Sequence, residues 1–166
     1  MSVTRFALTY LVLMGAFFIL IGFEPIKKII DLNGIYTHAV VAITTKVLNI
    51  TGIQCSSQGS IISLPSISLD VKFGCNGLEA VMIYAVAVMA FPATWQNKLF
   101  GVFAGFVVIQ IVNILRIAAL AYAGIHFKGI FEYIHVYVAQ GVMIAVSLAI
   151  FFIYLSYVKH ENRSLA

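Results

Sequence analysis

Three side chains in this sequence carry chemistry that an apolar chain rarely tolerates: Cys75, Arg116 and His135. Cys75 lies in Phe73-Gly-Cys-Asn-Gly-Leu-Glu79, where a glycine-flanked loop enters an apolar run. A helix N-terminus stabilises thiolate and lowers thiol pKa, so a reactive sulfur is expected there. Arg116 would add to that effect, whereas Glu79 opposes it unless Arg116 neutralises it. Arg116 sits in Asn113-Ile-Leu-Arg116-Ile, with Asn113 three residues earlier on the same helix face. His135 can act as base and then acid in thiol acyl transfer, and Glu132, three residues before it, could orient the ring. A thiol, a cation and an imidazole supply the nucleophile, charge-stabilising and proton-transfer roles of a covalent acyl-transfer site.

Each residue also has a plainer reading. A lone cysteine is usually a small hydrophobe, and Cys75 could pair with Cys55 in a structural disulfide outside the cell. Arg116 could form a structural ion pair with Glu79, or reach for lipid headgroups along its apolar stem. Histidines near a membrane surface are often simple hydrogen-bonders, which is the reading for His38, His126 and His160. No metal-ligand spacing occurs, and no cofactor is suggested.

The elements that must position these residues follow from composition. Of 166 residues, 62% are hydrophobic and 10% charged, and the mean hydropathy is +1.04. A soluble domain carries about 25% charged residues, so this chain cannot clothe a water-facing surface, and its aromatic content excludes disorder. An all-α, polytopic transmembrane bundle in a single domain is expected. The net charge of +4 has no basic run beyond Lys27-Lys28, which points to membrane flanks rather than nucleic acid.

Gaps between charges predict four clear spans, at about 6–23, 76–93, 99–123 and 133–158. The first is read as an uncleaved span rather than a signal peptide, because no small-residue cleavage site follows it. Residues 24–33 are polar enough for an interface. Residues 34–53 could form a further span, a re-entrant piece or an amphipathic helix lying in the interface; the interfacial reading is slightly preferred. Serines alternating with Ile and Leu over 54–73 predict a short hairpin or extended outer loop. Pro92–Lys98 and 124–132 are the turns between the later spans, and 159–166 is a polar tail.

Alternating span direction then brings the three residues together. Cys75 starts one span, and the next runs back. Arg116 lies 17 positions beyond Leu99, or about 25 Å along a helix, and His135 begins the last span. All three end at one membrane surface. With both tails inside, Arg5, Lys98, Lys159 and Arg163 are cytoplasmic, and Lys27, Lys28, Lys46, Lys72 and Lys128 are outside. Charge density in the short segments, by the positive-inside rule, favours that orientation.

At these same segments the sequence resembles the exosortase/archaeosortase family, and most of all its small H-type exosortases. The resemblance is carried by Gly74-Cys75-Asn76-Gly77-Leu78-Glu79-Ala80, Asn113-Ile-Leu-Arg116-Ile, and Phe131-Glu-Tyr-Ile-His135 followed by Val-Tyr-Val-Ala-Gln140, in that order over roughly 70–158. It implies a cysteine transpeptidase in the bacterial cytoplasmic membrane with an extracytoplasmic active face. Its substrates would be exported proteins bearing a C-terminal sorting signal, passed to an acceptor nucleophile of unknown identity. By motif, Cys75 would be the nucleophile, Arg116 the transition-state stabiliser and His135 the general acid/base, supported by Glu79, Asn113 and Asn76. Two other functions fit the residues without that resemblance. One is a small transporter or channel component using an Arg116–Glu79 pair; the other is a non-catalytic assembly factor with a Cys55–Cys75 disulfide.

Overall fold

The computed structural model describes residues 3–22, 31–127, 129, 131–133, 135, 137 and 139–164. The proposed interfacial segment around Glu24–Lys28, Lys128 and the Glu132 side chain lie outside the described part.

Helix α1 spans Val3–Gly22 and helix α2 spans Leu32–Ile50. Strands β1 (Ser56–Gln58), β2 (Ile61–Ser63) and β3 (Ser68–Asp70) follow, then helix α3 (Leu78–Ala90), helix α4 (Trp95–His126), a helical turn at Phe131–Tyr133 and helix α5 (Ala139–Ser164). Three of these helices are long and apolar enough to cross a membrane, over Val3–Leu20, Trp95–His126 and Gln140–His160. The fourth stretch expected to span, 76–93, holds the shorter apolar helix α3. Helix α3 has 13 residues, about 20 Å at 1.5 Å per residue, against a hydrocarbon core of about 30 Å.

Local chemistry explains why α3 is short. Asn76 Oδ1 accepts from the Leu78 N–H at 3.0 Å and caps its first turn. At the other end Phe91 precedes Pro92, whose ring pushes the preceding residue out of helical backbone; Phe91 has φ −76° and ψ 139°. Helix α4 starts at once, with Thr94 as N-cap accepting from Asn97 N–H at 3.4 Å. The expected turn over Pro92–Lys98 is thus confined to its first residues, and Trp95–Lys98 belongs to the helix. Lys98 lies over the Trp95 ring at 5.6 Å and donates to the Met89 carbonyl at 2.7 Å, fastening the α3–α4 corner.

The last expected span, 133–158, falls on Tyr133 of the helical turn and on helix α5, and residues 135 and 137 between them have π-helical backbone. Residues 34–53 fall mostly within the single helix α2, which is not among the helices apolar enough to span. Its Thr44 and Thr45 hydroxyls bond back to the Val40 and Val41 carbonyls, each at 2.8 Å, so polar side chains are satisfied within the helix. The serine-rich stretch is a three-stranded antiparallel sheet in the order β1-β2-β3, with β1 and β2 joined by the two-residue turn Gly59–Ser60.

Among the described residues, two apolar clusters hold the helices and the sheet together. One lies within the bundle and joins Ala80, Tyr84 and Val88 of α3 to Ile109 of α4 and to Met143, Tyr154 and Val158 of α5. Small residues at such contacts let helices approach closely, where packing rather than water exclusion drives association. Gly101 and Gly105 fill this role: side chains there would collide with the rings of Tyr154 and Tyr84, and Tyr84 donates to the Gly101 carbonyl at 2.8 Å. The second cluster joins Val40, Val41 and Leu48 of α2 and Ile62, Leu64 and Val71 of the sheet region to Ile117 and Ala121 of α4. Helix α4 has 32 residues, about 48 Å. Measured from Trp95, Arg116 stands about 30 Å along it, one hydrocarbon thickness away. The remaining turns carry the sheet.

Candidate active site

The loop before α3 is built around Asn76. Its backbone N–H and that of Cys75 both donate to the Lys72 carbonyl, at 3.0 and 2.8 Å. Its side-chain amide donates to Asn33 Oδ1 at 2.9 Å and to Thr37 Oγ1 at 2.8 Å, both on α2. Its carbonyl accepts from Asn113 Nδ2 at 2.7 Å. Asn76 and Asn113 are fully buried. Every polar group of Asn76 is therefore engaged, linking α2, α3 and α4 at one point, while Asn113 Oδ1 is buried without a partner among the described residues. Gly77 makes the turn possible, with φ +83° and no side chain to strike Asn113.

Cys75 is held from both sides. The Arg116 guanidinium donates through Nη2 to the Cys75 carbonyl, so α4 grips two successive carbonyls of the loop, one with Arg116 and one with Asn113. The Cys75 sulfur lies 3.3 Å from His135 Nε2. The imidazole is stacked on Phe131, with ring centroids 5.7 Å apart and planes inclined by 24°. Arg116 is only 9% exposed. The three residues singled out by type thus lie together, although 41 and 60 positions separate Cys75 from the other two.

Several expectations change. Cys75 is not at a helix N-terminus, because α3 begins three residues later. Burial pushes its thiol up and the Arg116 charge pulls it back only in part, so the resting sulfur is expected to be a thiol rather than a preformed thiolate. Glu79 makes no ion pair with Arg116 within 4 Å; the ion pair described in this region is Lys72–Asp70, at 3.1 Å. The Glu79 carboxylate instead lies on the Gly74 side of the turn. Both cysteines are free. Cys55 is occupied by α2, exchanging backbone–side-chain bonds with Asn49 at 3.0 and 3.1 Å. These findings remove the ion pair and the disulfide on which the transport and assembly readings rested. His126 has its plain role, placed 3.1 Å from the Tyr122 carbonyl and stacked on that ring.

Asn33 and Thr37 were not singled out from sequence. Their signal was present in a weak form: two polar residues four apart share a helix face in an otherwise apolar stretch. Together with His38, Asp70 and Lys72 they line a cleft of about 530 Å³ next to the Cys75 loop.

Apolar helices long enough to cross a bilayer define a polytopic integral membrane protein, and it carries a thiol–imidazole pair beside a buried guanidinium. The chain belongs to the transmembrane exosortase family, whose profile matches residues 2–153. No curated protein matches the chain, and no solved structure matches it.

Proposed function

We propose that this protein is a membrane-embedded cysteine transpeptidase that removes the C-terminal sorting signal of exported proteins through a thioacyl intermediate. The observation that carries the reading is the 3.3 Å approach of Cys75 Sγ to His135 Nε2, beside a guanidinium already bound to the Cys75 backbone. In the first step His135 Nε2 takes the thiol proton as the sulfur attacks the scissile carbonyl. A neutral thiol suits this, since the base then acts during attack. A guanidinium has five N–H donors; one holds Cys75, and Nε is buried without a partner among the described residues. Donors therefore remain to stabilise the developing oxyanion. The imidazolium then protonates the leaving amine, the C–N bond breaks and a thioester remains on Cys75. An acceptor nucleophile attacks that thioester, its proton passes to His135 and the thiol is restored.

Asn76 and Asn113 act as positioning residues in this scheme, and Glu79 has no part in holding Arg116. The active face is extracytoplasmic in the bacterial cytoplasmic membrane, where the substrate's membrane helix packs laterally against the bundle. Cys75→Ala, compared with wild type in cells, tests the reading. Exported proteins shortened by the wild type should accumulate at full length, with the variant still present in the membrane. Unchanged processing in that variant refutes the assignment.

A further inference from the structure

The sheet beside the site has one edge that no described residue covers. Leu64 N–H donates to the Ile67 carbonyl and Val71 N–H to the Ser60 carbonyl, both at 2.9 Å. Backbone polar groups alternate sides along a strand, so Ile67, Leu69 and Val71 face β2. Ser68 and Asp70 then turn their N–H and C=O groups to the opposite edge, and both residues are exposed. The sheet order places β3 at that edge, and no described residue outside the ladder bonds to its backbone there.

Both ends of this strand lead to the candidate catalytic residues. At its start, the Ile67 side chain and the Phe131 ring converge on the same point beside Gly124, and Phe131 is the ring stacked on His135. At its finish, Lys72 accepts from the Cys75 and Asn76 N–H groups, so one turn separates the strand from the thiol. Asp70 and Lys72 also border the polar cleft that opens against α2.

We propose that the β3 edge is the substrate-docking strand: the extended segment of the exported protein preceding its membrane helix adds to β3 as a fourth strand. This rests on the transpeptidase reading and specifies how that site holds its substrate. A scissile peptide must be extended before a nucleophile can reach its carbonyl. Strand addition supplies affinity through backbone bonds and leaves alternate side chains for selection. Two outward residues align about three residues of such a segment. An edge this short resists strand-to-strand aggregation, which suits a site exposed outside the bilayer.

The experiment begins by comparing wild type with Cys75→Ala in cells to find the exported protein whose shortening requires the thiol. Ser68→Pro then removes an outward N–H while leaving every ladder bond to β2 in place, the one setting in which a strand tolerates proline. Processing of that protein should fall about tenfold, the effect of losing a backbone hydrogen bond, with Ser68→Ala near wild type. Ser68→Cys, in a Cys55→Ser and Cys75→Ala background, should form disulfides with single cysteines at every second position of the substrate segment. Wild-type processing by Ser68→Pro overturns the docking strand while leaving the transpeptidase intact. If Ser68→Pro fails to accumulate, the cross-linking pattern decides, and cross-links that are absent or lack a two-residue period overturn the proposal. Equal processing by wild type and Cys75→Ala overturns both readings.

Discussion

Gly77→Ala is the sharpest probe of how the Cys75 loop is held. Gly77 has φ +83°, and a residue with a side chain in that left-handed region costs about 1–2 kcal/mol. The added Cβ would lie 2.7 Å from Asn113 Cγ and Nδ2, closer than packing permits. Asn113 is fully buried, so water cannot replace a partner it loses. It must give up its 2.7 Å bond to the Asn76 carbonyl, and a buried group left unpaired costs about 1–3 kcal/mol. The expected loss is about 2–5 kcal/mol in total. Gly74→Ala is the internal control, because Gly74 also has positive φ, at +87°, but its Cβ would meet only Glu79 Oε2 at an ordinary 3.6 Å. It should therefore cost about 1–2 kcal/mol, the backbone contribution alone. Thermal unfolding of both variants in detergent measures the difference, and substrate shortening in cells measures its consequence. Displacing the thiol by about 1 Å can lower turnover about a hundredfold. Equal stability and equal activity in the two variants would refute the claim that the Asn113–Asn76 bond fixes the nucleophile.

Arg116→Gln should shift thiol reactivity with pH in a definite direction. Burial raises the Cys75 pKa and the Arg116 charge lowers it, so removing the charge raises it further; the midpoint of iodoacetamide labelling should move to higher pH, and Arg116→Lys should move it back. A midpoint that falls or stays fixed contradicts the assigned electrostatics. Glu79→Gln should leave processing close to wild type. It removes a favourable charge from the first turn of α3, which costs about 0.3–1 kcal/mol, and it breaks no ion pair with Arg116. Loss of function as severe as that of Cys75→Ala would restore the Arg116–Glu79 pair as the functional unit.

The candidate site was legible in the sequence because polar side chains are rare in an apolar chain and stand out by type. Alternation of span direction then placed Cys75, Arg116 and His135 on one face without any knowledge of side-chain positions. The role given to Glu79 failed for a local reason. Relations of three and four residues hold only inside a helix, and Gly77 reverses the backbone between Cys75 and the first turn of α3. The same reversal removes the expected effect of the helix N-terminus on the thiol. Asn33 and Thr37 stayed hidden because their partner, Asn76, lies 43 and 39 positions away, a distance that periodicity cannot bridge. The shortness of α3 was half legible, since Pro92 ends it visibly while its start depends on a turn closed by Asn113 of another helix.

The membrane class and the chemical types of the three polar residues were already readable from composition, because charged and polar side chains are scarce in this chain. Tertiary packing alone joins Asn76 to α2, α3 and α4, keeps Glu79 out of an ion pair with Arg116, and leaves β3, one turn before Cys75, with an edge unpaired among the described residues. Those outcomes depend on which distant groups satisfy one another's hydrogen bonds once they are buried. Most buried polar groups find a partner somewhere in the fold, and no local pattern in the chain names that partner.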